Sequence, residues 1–547
     1  MKVVIIGGVA GGASAAARLR RQDEHAQIIL IERGRYISFA NCGLPYHIGG
    51  VIENRESLLV QRKEDMEARF ALDVRLRHEA VSLDRERKEV HVRILDTGEV
   101  YTERYDTLLL SPGAEPVRPP LAGIDSSYIK TLRSMTDMDS IIESLHTRDV
   151  KHAAVIGAGF IGIELAENLR RRGIRVTVVE KLDQVLPIID YDLASQVHRH
   201  LAEHQVKLIL KTGVTGFSEG EDGVAVTLED GRTVDADLVI LSIGVRPETS
   251  LAVQSGLEIG ITGGIKVNEF LQTSDPDIYA VGDAIEVRHV VHGREVCIPL
   301  AWPANRQGRI AADTITGSRK AYRGTLGTSI LQVFDLTAAS TGLNEKTLSS
   351  NGIPYQAVTV NRNQHAEYYP GAKPFTLKVL FSGSGEIYGA QAIGEDGVDK
   401  RIDVIASAIR GNLRVWELQE LELAYAPPFN AAKDPVNIAG YAAENVLNGS
   451  VKAVRWFEAD HFISEQGFIP LDVRTQEEHQ SGSLPGSLNI PVDELRGRLD
   501  ELEAGQNYLV YCQVGHRGYV ACRILSQRGF SACNLDGGYA IWHPATS

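Results

Sequence analysis

The 547-residue sequence contains five cysteines, and Cys42 is set apart from the others by its surroundings. It lies in Ser38-Phe39-Ala40-Asn41-Cys42-Gly43-Leu44-Pro45-Tyr46, between two glycine-rich nucleotide fingerprints, with no second cysteine nearby. A lone thiol beside a redox cofactor implies chemistry through one sulfur. Its oxidised form is then a mixed disulfide with an outside partner, a persulfide or a sulfenic acid. The spacing of Cys42, Cys297, Cys512, Cys522 and Cys533 matches neither a zinc site nor a disulfide framework. Free thiols of this kind are expected in a reducing cytoplasm.

Two βαβ units must position that thiol. Val3 to Ile6 reads as a buried strand, followed by Gly7-Gly8-Val9-Ala10-Gly11-Gly12, a helix from about Ala13 to Arg21, and a strand Ile28 to Ile31 ending at Glu32. Glycines let the backbone approach a pyrophosphate at a helix N-terminus, and the terminal acid accepts hydrogen bonds from a ribose diol. Val9 stands where the central glycine of GxGxxG belongs, so this copy alone is a weak signal. The second copy is complete: Gly157-Ala158-Gly159-Phe160-Ile161-Gly162 follows the strand Ala153 to Ile156, and a helix to about Arg172 leads to the strand Arg175 to Val179 and Glu180. Two such units imply two dinucleotides. Glu180 repels a 2′-phosphate and so favours NADH over NADPH, although Lys181 adjoins it. Arg170 to Arg172 are read as cations complementing the dipole of a helix end.

Composition bounds the rest. A chain of this length exceeds one core and divides into about three to five domains. Hydrophobic content of 43% and charged content of 23% are those of an ordinary globular protein. A net charge of −14 argues against nucleic acid or an anionic membrane as main partner. Met1 and Lys2 run straight into the first strand, so no signal peptide is expected, and no apolar stretch approaches the roughly 20 residues of a membrane span.

Two further segments have a similar form: Asp106 to Ala114, a strand ending in the Ser111-Pro112-Gly113 turn, and Thr273 to Ala284, a strand ending in Gly282-Asp283. With these, residues 1 to 446 resemble the two-dinucleotide flavoprotein disulfide reductases. The resemblance implies FAD held by Gly7, Gly8, Gly11, Gly12, Glu32, Arg33, Ser111, Pro112, Gly113 and Gly282, with Asp283 on the ribityl chain, and NADH held by Gly157, Gly159, Gly162 and Glu180. It also implies a split FAD domain (1–115 and 271–324), an inserted NADH domain (116–270) and an α+β dimerisation domain (325–446) that makes the protein a homodimer. Relatives with an internal dithiol carry a second cysteine about five positions on, where this chain has His47. Leu447-Asn448-Gly449-Ser450 reads as a linker, and residues 455–547 look like a rhodanese, with Cys512-Gln513-Val514-Gly515-His516-Arg517 as its loop. That likeness implies inward N–H groups and a helix from about Gly518 to Arg528, which together lower the Cys512 thiol pKa and stabilise a persulfide, with Arg517 closing the loop. Cys522 and Cys533 sit in apolar helix-like and strand-like contexts and are read as core. The fold class is α/β, with two Rossmann-like dinucleotide-binding domains, a dimerisation domain and a rhodanese-like domain.

Two single-cysteine chemistries compete within this group. NADH oxidases and peroxidases carry a histidine in the first glycine loop, at the position of Ala10. SFANCGLPY (38 to 46), HAEYYPGA (365 to 372), GVDKRIDV (397 to 404) and LAYAPPFNAAKD (423 to 434) instead resemble coenzyme A disulfide reductases and their rhodanese-fused relatives, the NADH-dependent persulfide reductases. Coenzyme A carries a 3′-phosphate and a diphosphate, so an acidic protein must concentrate cations to hold it. Arg18 and Arg21 lie about one turn apart on a helix, and Arg62, Lys63, Arg69 and Lys433 match ligand positions, as do Ser14, Ser38 and Asn41. Tyr368 and Tyr425 resemble two tyrosines that approach the cysteine from a partner subunit, with Tyr369 adjoining the first. A tyrosine hydroxyl can give a proton to a departing thiolate. The expectation is a cytoplasmic homodimer using FAD and NADH to reduce coenzyme A persulfide, coenzyme A disulfide or polysulfide. An NADH oxidase or peroxidase, or a non-catalytic redox-sensing flavoprotein, is the alternative.

Overall fold

Val3, Val4, Ile5 and Ile6 are buried because their strand, Lys2–Ile6, has parallel neighbours on both sides. Gln27–Glu32 and then Asp73–Leu76 lie on one flank, and Thr107–Leu110 and then Ile278–Ala280 on the other. Parallel strands covered on both faces read as continuous apolar runs, which is what the sequence shows. This computed structural model describes residues 1–221 and 223–546. They form two compact units, residues 1–183 with 205–327, and residues 184–204 with the chain from 328 onward.

The first unit holds both nucleotide folds. The second sheet repeats the first, with Arg175–Val179 and Leu238–Leu241 flanking His152–Ile156 and with Val206–Ile209 and Ile129–Lys130 outside them, all parallel. The first helix, Ala10–Gln22, begins three residues before its expected start because the glycine loop winds directly into its first turn. The segment expected as a strand to Ala284 is shorter, Ile278–Ala280, since Gly282 takes φ +81° and starts a 3₁₀ turn over Gly282–Ala284.

The second unit contains two more five-stranded sheets. One is antiparallel, in the order Ser329–Val333, Leu336–Gly342, Ile387–Gly394, Pro374–Phe381, Gln356–Asn363. The other is parallel, in the order Ala453–Val454, Ser531–Leu535, Asn507–Tyr511, Ile469–Asp472, Leu488–Asn489. Asp536 joins the two sheets by accepting a hydrogen bond from the Thr359 N–H at 3.0 Å, and burial pushes its carboxyl up to about 6.

The helix Tyr191–Glu203 belongs to this second unit although it lies within the 116–270 stretch. A buried charge cluster ties it there: Lys378 Nζ is 2.9 Å from Asp192, 3.2 Å from Asp190 and 3.0 Å from Glu345. Desolvation alone would lower Lys378, but the three carboxylates outweigh it and hold the ammonium charged. Burial also pushes Glu345 up to about 7, against the pull of Lys378.

Lys378→Met leaves three carboxylates without their counterion, so its unfolding free energy in denaturant titrations should fall by about 3–5 kcal/mol at neutral pH. Glu345 is protonated more readily folded than unfolded, so its contribution is complete below about pH 4.3 and is lost as pH rises through about 7. Glu345→Gln should flatten that fall in stability between those limits.

Candidate active site

The glycine loops explain how the first unit receives two dinucleotides. A Cβ on Gly12 would lie 1.9 Å from the Gly7 carbonyl oxygen, so the loop and its helix can close only on glycine. A Cβ on Gly159 would meet nothing within 4 Å, which leaves open space at the start of the helix Phe160–Arg171. Neither nucleotide helix has a side-chain cap, so their first N–H groups are left for an anion. Each terminal acid is bound to its own loop. Glu32 accepts from the Gly8 N–H at 2.9 Å and the Gly34 N–H at 2.7 Å, and Glu180 accepts from Ala158 at 2.7 Å and Leu182 at 2.8 Å. A carboxylate has about four acceptor positions, so two remain for a ribose diol. The residues fit FAD in the first fold and NADH in the second. The Ser111 carbonyl backs Gly7, the Pro112 carbonyl accepts from Arg133 at 3.0 Å, Gly113 takes φ +78°, and Arg33 is ion-paired with Glu115.

Cys42 sits in a 3₁₀ turn, Asn41–Gly43, that runs into the short helix Leu44–Ile48. The residue is exposed, but packing around its sulfur, and then the carboxylates of Glu164 and Asp283, push the thiol up. Burial likewise raises Asp283, with Arg133 opposing, and raises Glu164 to about 7. The Tyr46 hydroxyl donates to Glu164 at 3.4 Å. His47, at the place of a second thiol, is hydrogen-bonded to the Ile52 carbonyl at 2.6 Å. Glu164, Tyr46 and Arg133 were not among the residues singled out from sequence. The available signal was Glu164 itself, a carboxylate two residues past Gly162 in a buried stretch of helix.

The basic residues divide. Arg18 pairs with Asp313 at 2.6 Å, Arg62 with Glu56 at 2.7 Å and Lys63 with Glu67 at 3.7 Å, while Arg69 is exposed. Arg21 lies over the Phe70 ring and is lowered by desolvation, Arg18 and Arg309, so a region of excess positive charge forms there. Arg309 comes from the helix Ala301–Ile315, which the sequence reading passed over. Ser14 donates to Asn305 of that helix, Ser38 takes φ +45° with its N–H on the Gly8 carbonyl, and Asn41 donates to the Arg133 carbonyl at 3.3 Å.

In the second unit Tyr368 and Tyr425 share a hydrogen bond of 2.8 Å between their hydroxyls, while Tyr369 turns to His365. Lys433 and Arg362 lie close enough to His516 to lower it, after desolvation. Cys512 is 0% exposed, at the end of Asn507–Tyr511 and before the helix His516–Gln527, whose N-cap Gly515 takes φ +89°. Arg517 holds Glu478 through two bonds of 2.6 and 2.7 Å and interacts with Cys512. Arg474 grips Asp472 and donates to Gln513 of the loop at 3.2 Å. Cys522 and Cys533 are buried, as expected of core residues. Among the described residues no helix is long and apolar enough to cross a membrane.

Residues 1–308 match the family described as pyridine nucleotide-disulphide oxidoreductase, residues 328–435 its dimerisation domain, and residues 458–545 the rhodanese-like domain. The chain is 36% identical over 446 residues, 81% of its length and 100% of the relative's, to coenzyme A disulfide reductase of Staphylococcus aureus (strain bovine RF122 / ET3-1). It is similar to the crystal structure of reduced Bacillus anthracis CoADR-RHD, with 52% identity, a TM-score of 0.97, and coverage of 100% of this chain and 98% of that one. It is also similar to an NAD-dependent persulfide reductase from A. fulgidus, with 38% identity, a TM-score of 0.93, and coverage of 99% and 100%.

Ionised Glu164 holds the Cys42 thiol up, so Glu164→Gln should move alkylation of Cys42 by iodoacetamide to lower pH. Mass spectrometry of the Cys42 peptide across pH 6 to 10 (roughly the span in which a perturbed thiol titrates) reads the shift. An unchanged profile would remove Glu164 from the electrostatics of the thiol.

Proposed function

The chain belongs to the pyridine nucleotide-disulphide oxidoreductase family, and on that premise we propose that it uses FAD and NADH to reduce coenzyme A persulfide, coenzyme A disulfide or polysulfide through Cys42. The observation that carries this reading is a single thiol, with no partner cysteine at His47, that feels Glu164 from one nucleotide fold and Asp283 from the other. In this reading residues 1–115 with 271–324 serve FAD, 116–270 NADH, 325–446 dimerisation and 455–547 sulfur transfer, with residues 184–204 packed in the second unit.

The loop N–H groups after Gly7 and Gly157 hold pyrophosphates, Glu32 and Glu180 take the ribose diols, and Asp283 orients the ribityl chain. FAD, when bound, supplies the two-electron relay between nicotinamide and sulfur. Cys42 thiolate attacks one sulfur of the substrate. With coenzyme A disulfide it forms a mixed disulfide and expels coenzyme A thiolate. With the persulfide it attacks the inner sulfur and expels hydrosulfide. Two electrons and a proton then free the second thiol and restore Cys42. Tyr368 and Tyr425 protonate the departing thiolate from a second copy of the chain, forming a homodimer; the two hydrogen-bonded residues are exposed, Tyr368 to 75%. Arg18, Arg21, Arg62, Lys63 and Arg69, with Ser14, Ser38 and Asn41, hold the coenzyme A moiety, and Lys433 of the second unit is a further ligand that the family resemblance implies. Ala10 offers no proton-carrying side chain beside the first loop, which disfavours an oxidase or peroxidase. Five free cysteines suit a reducing cytoplasm.

Cys512 carries sulfane sulfur. Its thiolate attacks the donor's outer sulfur, expels the donor's remaining anion, and passes the sulfur to coenzyme A thiolate without net oxidation. Arg517 and Arg474 fix the loop around it. Carrying both thiols on one chain raises the effective concentration of the relayed sulfur.

Cys42→Ser should still bind FAD and show flavin bleaching by NADH, while steady-state reduction of every sulfur–sulfur substrate falls by several orders of magnitude. Substantial persulfide turnover by this variant would sink the role of Cys42. Cys512→Ser should abolish sulfurtransferase activity yet leave reduction of preformed coenzyme A persulfide nearly unchanged. Loss of both activities together would overturn the relay.

A further inference from the structure

His200 and His204 lie four residues apart at the end of the helix Tyr191–Glu203, so their imidazoles share one face, with centroids 4.4 Å apart. The hairpin between Ser329–Val333 and Leu336–Gly342 brings Asp335 to the same place. Phe334, in the left-handed region at φ +58°, stacks on His204 with centroids 4.0 Å apart and sets the turn. Asp335 Oδ1 is 2.8 Å from His200 Nε2 and 3.8 Å from His204 Nε2. One donor atom from each of the three residues falls within 4.8 Å of the others.

Two details point beyond an ordinary ion pair. His200 Nε2 is buried and makes no hydrogen bond, although Asp335 is so close. Ligands of a tetrahedral ion behave in this way, because their lone pairs aim at the metal and their donor atoms sit about 3.3 Å apart, off each other's axes. Each Nδ1 also faces an acceptor, His204 the His200 carbonyl at 2.9 Å and His200 the Glu203 carboxylate at 3.7 Å. A carbonyl only accepts, so His204 carries a proton on Nδ1, and a hydrogen bond of this kind to a backbone carbonyl is how metal-binding imidazoles are oriented. The nearby cation Lys373 is neutralised by Glu395 at 2.9 Å.

We propose that His200, His204 and Asp335 bind a divalent transition ion of the zinc class, with a fourth position left to water, and that the ion clamps the helix to the hairpin. The test uses the full-length FAD-loaded enzyme, stripped with EDTA and dialysed against zinc chloride. Thiols also take up zinc, so the reading is a difference: wild type should hold about one more equivalent per chain than Asp335→Asn or His204→Ala. Its thermal midpoint should rise with zinc where theirs does not. NADH turnover in EDTA should match wild type in both variants, and Asp335, 63% exposed, can become Asn without opening the core. Equal zinc content and equal thermal response in all three proteins would overturn the site. So would a zinc-soaked wild-type crystal with no anomalous peak among the three donor atoms.

Discussion

Both nucleotide folds depend on one repeated interaction, a strand-terminal carboxylate that pins the glycine loop beside it. Glu32 bonds Gly8 and Gly34, and Glu180 bonds Ala158 and Leu182. Without these contacts the loop N–H groups would have no fixed direction, and an anion at the helix end would find no preformed site. The same carboxylates keep acceptor positions free beside each loop, so the feature that fixes the loop also leaves negative charge at its mouth. The first loop carries Val9 in place of the central glycine, while close approaches that forbid a side chain fall at Gly7, against the Ser111 carbonyl, and at Gly12, against the Gly7 carbonyl.

The thiol chemistry rests on charge balance around Cys42. Glu164 and Asp283 oppose its ionisation, and burial raises both carboxyls in turn. Three acids thereby share a small space at the junction of the two folds. Any proton leaving sulfur alters its neighbours, which suits a site that passes electrons and protons together.

In the second unit, stability and position depend on Lys378. One ammonium faces three carboxylates from separate segments, so the helix Tyr191–Glu203 and Glu345 converge on one strand of the antiparallel sheet. Asp536 adds a half-buried acid where the two sheets meet, its carboxyl pushed up by desolvation. Interactions of this kind specify position more than they add stability, because desolvation offsets much of the attraction.

The sequence by itself determined the elements whose signal is local. Apolar runs, glycine spacing and terminal acids mark both βαβ units, and Cys42 and Cys512 stand out because each lies in a short motif whose neighbours are contiguous. Tertiary structure decided whatever depends on residues far apart in the chain. Glu164 meets Cys42 across 122 positions only because the two folds pack together, and Arg309 joins Arg18 and Arg21 through helix packing. The pairing of Tyr368 rather than Tyr369 with Tyr425 turns on side-chain direction, which adjacency in sequence cannot supply. The placement of residues 184–204 with the C-terminal unit is set by a lysine almost 200 residues away. Local pattern fixes which backbone forms, whereas long-range burial of charge fixes where each piece is held.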